Sequence, residues 1–328
     1  MRLRLLPFVV REPVEPAQGR PWGMSNVRRI AIMRAGKFIK GSITMSTLTE
    51  FSRGGLTFDV VDSGPVDAPG GSATSNLPVV LLHGFPERAS CWDAVTPLLN
   101  EAGLRTVAPD QRGYSPRARP ERVRDYRVSE LAADVIALAD ELAAPRIHLV
   151  GHDWGAMVAW AVAADYPERI ASLTALAVPH PGAYLRAMLR GQLLRSWYMG
   201  FFQLRGIAEW ALTKGVTSGR GPQLGPAGFT EQMRTEIVEY GALTGGLNWY
   251  RALRFSDPGL RNRKVVVPTT HIWSENDAFL SRAGARGCAA MVDAPYEFIV
   301  LEGVDHWIPQ RQPATVAAAI IERAASAE

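Results

Sequence analysis

The chain has 328 residues, 47% apolar, 21% charged and 9% aromatic, which fits a globular protein with room for a sizeable core and excludes a disordered or fibrous one. Two cysteines, Cys91 and Cys288, exclude a disulfide framework and a cysteine-rich zinc site and read as reduced or buried thiols of a cytoplasmic protein; with no run of eighteen apolar residues, no stable membrane insertion is expected. The net charge of +4 is uneven: residues 1–45 carry nine Lys or Arg and two acids, leaving 27 bases against 30 acids in the rest, so the body gives no electrostatic reason to expect nucleic acid.

Residues 1–45 read as a basic, flexible extension without catalytic function. The apolar stretch Leu5–Val10 is interrupted by Pro7 and is short for a signal-peptide core. Met24, Met33 and Met45 are each candidate starts.

From Glu50 strands and helices alternate. Leu56–Asp62 is β-rich, and residues 64–75 form a Gly/Pro/Ala/Ser loop. Pro78–Leu82 is a continuous apolar run, as expected of a strand buried on both faces. A helix follows over Cys91–Glu101, then a strand at Arg105–Ala108. Ser129 is placed as the cap of a helix running to Leu142. Ile147–Val150 predicts the next buried strand, Trp154–Asp165 a helix ended by Pro167, and Ile170–Val178 another strand. This alternation implies a mostly parallel sheet with helices on both faces. It breaks at Pro179. Residues 179–264 are rich in Trp, Tyr, Phe and Leu at helical spacing and read as a helical insertion. Strands resume at Thr269–Trp273 and Glu297–Leu301, before an Ala-rich helix over 313–325. The domain reading is therefore 46–178 and 265–328 for the sheet-bearing core and 179–264 for the insertion.

The chemistry concentrates in Gly151-His152-Asp153-Trp154-Gly155. It follows a buried strand and opens a helix, the context of a nucleophile elbow, in which flanking glycines permit a sharp turn and the central residue projects from the carboxyl end of the sheet. Asp153 holds the nucleophile position. A carboxylate with a pKa of about 4 is ionised at neutral pH and needs no base before it attacks. It suits displacement at an sp³ carbon, giving an alkyl ester of the enzyme, rather than serine-type acyl transfer. The loop His83-Gly84-Phe85-Pro86-Glu87 follows the strand that should supply one oxyanion-hole amide; the residue after the nucleophile supplies the other. The donors are the Phe85 and Trp154 N–H groups. His306, after the last strand, stands where the chain order nucleophile, acid, histidine requires a base. Asp277, or less well Glu275, is its orienter.

At these residues the chain resembles the epoxide hydrolase branch of the α/β-hydrolases, over about residues 50–325. HGFPE (83–87), GHDWG (151–155), WSEND (273–277) and GVDHW (303–307) match in order and spacing. So do Asp110-Gln111-Arg112-Gly113-Tyr114 and Tyr166-Pro167-Glu168-Arg169. The resemblance implies an α/β-hydrolase fold with a helical lid inserted after the sixth strand. It also implies that two lid tyrosines, Tyr198 and Tyr250, bond the epoxide oxygen, and that Glu87 helps to position water. The reaction so implied converts an apolar epoxide and water to a vicinal diol through an ester on Asp153, with no metal or organic cofactor, in a monomer or homodimer. Two other readings stay open: a haloalkane dehalogenase with the same Asp/His/Asp set, against which Phe85 and the tyrosine pair argue, and a silent ligand-binding homologue, against which the intact acid–base pair argues.

Overall fold

The computed structural model describes residues 9–11, 47–65, 77–218 and 225–327. Nine strands form one sheet: β1 (Val9–Arg11), β2 (Glu50–Arg53), β3 (Leu56–Ser63), β4 (Val79–Leu82), β5 (Thr106–Pro109), β6 (Ile147–His152), β7 (Ile170–Leu176), β8 (Thr269–Ser274) and β9 (Tyr296–Leu301). Their order is β1-β9-β8-β7-β6-β4-β5-β3-β2. The six strands from β9 to β5 are parallel, and β1, β3 and β2 pair antiparallel at the edges. Of the basic extension, only Val9–Arg11 lies within the described residues; the rest of that reading, and most of the 64–75 loop, fall outside them.

The apolar runs make two cores because successive strand residues face opposite sides. In β4, Val80 and Leu82 pack on one face with the helices Val128–Glu141 and Trp154–Asp165. Val79 and Leu81 pack on the other with Leu99 of helix Thr96–Glu101 and with Val316 and Ile320 of helix Pro313–Ala325. A strand buried on both sides therefore has no polar position to alternate with.

Two local expectations are corrected. The helix over Cys91–Glu101 is split into a 3-10 turn, Ala89–Trp92, and an α-helix from Thr96. Pro97 lacks an N–H and fits only the first turn, so one α-helix cannot run back from it to Cys91. Ser129 does not cap its helix: Arg127 occupies the cap position, and Ser129 Oγ accepts a bond from Arg127 Nε at 3.2 Å. The polar strand β2 was missed. Its signal is Gly54-Gly55, both at positive φ (59° and 79°), the two-residue hairpin turn that glycine favours.

Between β7 and β8, every regular element among the described residues is helical, from Pro181–Ala187 to Pro258–Asn262. Discounting the three-residue β1, this insertion follows the sixth strand. It packs against the carboxyl ends of the parallel strands, where the Trp249 indole N–H donates to the Arg112 carbonyl at 2.8 Å.

Candidate active site

Asp153 stands at the turn between β6 and helix Trp154–Asp165 with φ 53° and ψ −119°, a conformation that residues with a Cβ rarely adopt. The neighbouring glycines make the turn possible. A Cβ on Gly151 would lie 2.2 Å from the Gly155 carbonyl oxygen, and one on Gly155 only 2.1 Å from the Leu82 oxygen. Helix, β6 and β4 therefore meet at distances only glycine allows. Gly84 does the same for the loop after β4, where a Cβ would fall 2.4 Å from Asp153 Cβ. That approach lets Phe85 N–H donate to Asp153 Oδ1 at 2.8 Å. Trp154 heads its helix, where an amide has no intrahelical acceptor.

The loop after β4 is fastened by His83. Its buried ring donates from Nδ1 to the Gly84 carbonyl at 2.9 Å and accepts at Nε2 from Gln111 N–H at 3.0 Å. Burial pushes its pKa down, which keeps the ring in that neutral, one-donor form.

His306 Nε2 lies 3.4 Å from Asp153 Oδ2. Its Nδ1–H donates to Asp277 Oδ2 at 2.8 Å. The other Asp277 oxygen accepts from Phe279 N–H at 2.8 Å and Leu280 N–H at 2.9 Å, so the orienting carboxylate is locked by backbone on one side and the ring on the other. All three groups are buried. Glu275 is exposed, 3.8 Å from Arg282. Of the two acids in the loop, the structure brings only Asp277 to the histidine.

Electrostatics follow from that burial. Burial alone would lower the His306 pKa, but Asp277 and Asp153 outweigh it and hold the ring well above its ordinary value. Burial pushes Asp153 up, yet the His306 ring, His152 and the Phe85 amide together hold its carboxyl below the usual range. Both shifts favour a carboxylate beside an imidazolium in the resting protein.

A cavity of about 570 Å³ opens over Asp153, with Trp154, Tyr198 and Tyr250 in its wall. Tyr198 comes from the short helix Trp197–Phe201 and Tyr250 from the helix Leu243–Ala252. Their ring centroids lie 6.0 Å apart. Tyr250 is wedged edge-on against Trp154 (4.9 Å) and Phe85 (5.4 Å). Burial and the negative charge of Asp153 push both phenols well above their ordinary value, so they are protonated donors across the neutral range. The remaining lining is mostly aliphatic, including Met157, Leu185, Met188, Leu193 and Leu280.

Glu87 is buried behind the histidine, not in the cavity wall. It lies 3.1 Å from His152 Nδ1 and accepts from Gln310 Nε2. His152 Nε2 in turn donates to the His306 backbone carbonyl at 2.9 Å. His152 and Gln310 were missed in the sequence. The only signal was that His152 directly precedes Asp153, which places its ring beside the same loops. No cluster of three or more His, Cys, Asp or Glu able to hold a metal occurs among the described residues.

Comparison with known proteins agrees with this fold. The model of the alpha/beta hydrolase family matches residues 79–319. An AB hydrolase superfamily protein of Bacillus subtilis, YfhM, is 35% identical over 278 residues, covering 82% of this chain and 94% of that protein. Epoxide hydrolase A of Mycobacterium tuberculosis is 32% identical over 313 residues, with the same coverage of each. The crystal structure of epoxide hydrolase A from Mycobacterium thermoresistibile superposes with a TM-score of 0.70 at 28% identity, covering 84% of this chain and 96% of that one.

Proposed function

The chain belongs to the α/β-hydrolase superfamily and, within it, to the epoxide hydrolase family, and from that membership we propose that it hydrolyses an apolar epoxide to a vicinal diol through a covalent ester on Asp153. The insertion acts as the lid. What carries the reading is one cavity with the Asp153 carboxylate on its floor, backed by the buried His306–Asp277 pair, and two protonated phenols in its wall.

In the first step Asp153 Oδ2 attacks an epoxide carbon while Phe85 N–H holds Oδ1. The C–O bond breaks, and Tyr198 or Tyr250 gives its proton to the leaving oxygen. The ester carries no charge. His306 then loses one of the two carboxylates that raise its pKa, and it releases a proton that restores the phenol. The resting ion pair is thus converted into a neutral base at the moment a base is needed. His306 next takes a proton from water, which attacks the ester carbonyl, and Asp277 stabilises the imidazolium. The amides of Phe85 and Trp154 bond the tetrahedral oxyanion. Its collapse breaks the bond to the alkyl oxygen, which takes the second proton of the attacking water as the diol leaves, and returns Asp153 as a carboxylate beside imidazolium. Glu87, through His152 and the His306 carbonyl, supports the loop that carries the base. No step requires a metal or organic cofactor.

A His306→Gln variant tests the reading by intact-protein mass after brief exposure to mixed epoxides and haloalkanes. The expected adduct has the mass of a whole epoxide and disappears when Asp153 is also changed to Ala. An adduct of alkyl mass without halogen would instead identify a dehalogenase. A folded protein that gains no adduct would sink the covalent reading.

A further inference from the structure

Eight of the eleven large apolar side chains that stand exposed among the described residues fall between positions 185 and 210. Leu189, Leu194, Trp197 and Trp210 are the most open, at 95%, 81%, 72% and 62%. All of the eight but Leu204 are carried by consecutive short elements, Pro181–Ala187, Met188–Arg190, Gln192–Arg195 and Trp197–Phe201, and by the start of helix Ile207–Thr217. Leucines and tryptophans exposed at this density on a single insertion mark a contact surface.

From position 183 to 208 the charges among them are of one sign, and Glu209, beside Trp210, is paired with Arg251. Arg186, Arg190, Arg195 and Arg205 are exposed, and no Asp or Glu occurs from position 183 to 208. Two members of the patch, Leu185 and Leu193, also line the cavity over Asp153, so the cavity wall runs out into this surface. Exposed Arg254 and Arg261 stand in the same wall. The acid there, Asp257, is already paired with Arg263.

We propose that this face of the insertion docks on an anionic lipid bilayer, so that the cavity opens at the bilayer surface and an apolar substrate enters from the lipid. Leucine and tryptophan suit the boundary between headgroups and acyl chains. Arginine buries its stem there while its guanidinium bonds lipid phosphate. Several such cations beside an apolar face give the combined attraction that peripheral binding to anionic membranes needs. No described helix is long and apolar enough to cross a membrane, so the contact is one of surface docking. A second copy of the chain fits the face poorly. A two-fold contact would press the arginines of one copy against those of the other, whereas lipid phosphates neutralise them. The docking goes beyond the reading of the chemistry and does not depend on it.

The test uses the full chain and flotation with two kinds of vesicle, phosphatidylcholine mixed with phosphatidylglycerol and phosphatidylcholine alone. Binding is expected to the mixed vesicles and to weaken as salt is raised. Leu189→Ser with Leu194→Ser should cut the bound fraction by about tenfold at an unchanged unfolding temperature, because neither residue lines the cavity. The basic residues 1–45 could attract anionic vesicles by charge alone, so depth must be read separately. Lipids brominated on the acyl chain should quench tryptophan emission in the parent, and the quenching should vanish in Trp197→Phe/Trp210→Phe. Unchanged flotation of the Leu189/Leu194 variant would overturn the proposal. So would vesicle binding without quenching, or self-association in place of vesicle binding that the same leucine substitutions abolish.

Discussion

Asp153, Asp277 and His306 sit in loops that follow β6, β8 and β9, whereas Tyr198 rides on a five-residue helix and Tyr250 on a ten-residue helix of the insertion. The two regions fix their side chains by different means. On the sheet side the backbone itself sets position. Helix, β6 and β4 touch through glycines, Asp277 is pinned by two amides, and Asp153 is forced to positive φ. In the insertion, ring packing sets position. Tyr250 is held by Phe85, Trp154 and Phe202, and Tyr198 by Phe202 and Phe279. A site built this way holds Asp153, the proposed nucleophile, by backbone, while the proposed substrate-facing part can vary without disturbing the sheet.

Substitutions on the two sides should therefore fail differently. The largest effect is expected at Asp153→Ala, which should lower kcat/KM by about 10⁴-fold or more while circular dichroism stays native. Next, Tyr198→Phe and Tyr250→Phe keep the packing and remove only the donor. The double variant should lose about 10²- to 10⁴-fold in kcat, each single variant less, with little change in unfolding temperature. Full activity in the double variant would reduce both tyrosines to packing groups and erase the comparison.

A pair of glycine substitutions sharpens it further. Gly155→Ala forces a methyl against the Leu82 backbone and should cost about 1–3 kcal/mol or more, read as a fall in urea midpoint. Gly200→Ala meets nothing within 4 Å in its helix and should be neutral or stabilising by up to about 1 kcal/mol. The smallest effect is electrostatic. Asp153→Asn removes a negative charge that raises the His306 pKa, so the imidazole titration seen by NMR should move to lower pH. No movement would mean that the two groups are not coupled in solution.

The same contrast governs what could be read from the sequence. The sheet was legible because strands buried on both faces must be apolar throughout, as in Val79–Leu82, and because a Gly-x-Asp-x-Gly turn between strand and helix has few uses. Asp153 followed from its elbow and His306 and Asp277 from chain order, and the structure brings all three together. The insertion was legible only as helical. Helical spacing does not reveal that Met233–Glu239 is a π-helix or that Gly191 ends a turn at positive φ, because those features are set by tertiary packing. The tyrosines needed resemblance to a family, since a lone aromatic on a helix carries no local mark of function. His152 and Gln310 were illegible because their partners, Glu87 and the His306 carbonyl, are distant in sequence and meet only when the loops close over the sheet.

In the proposed reaction water attacks an ester of Asp153 and not the epoxide. Single-turnover hydrolysis in ¹⁸O-water, with enzyme in excess over an epoxide that it turns over, tests it most directly. An unlabelled diol is expected from the first turnover, with ¹⁸O in the peptide that contains Asp153. Label in the first-turnover diol, with none in that peptide, would contradict it.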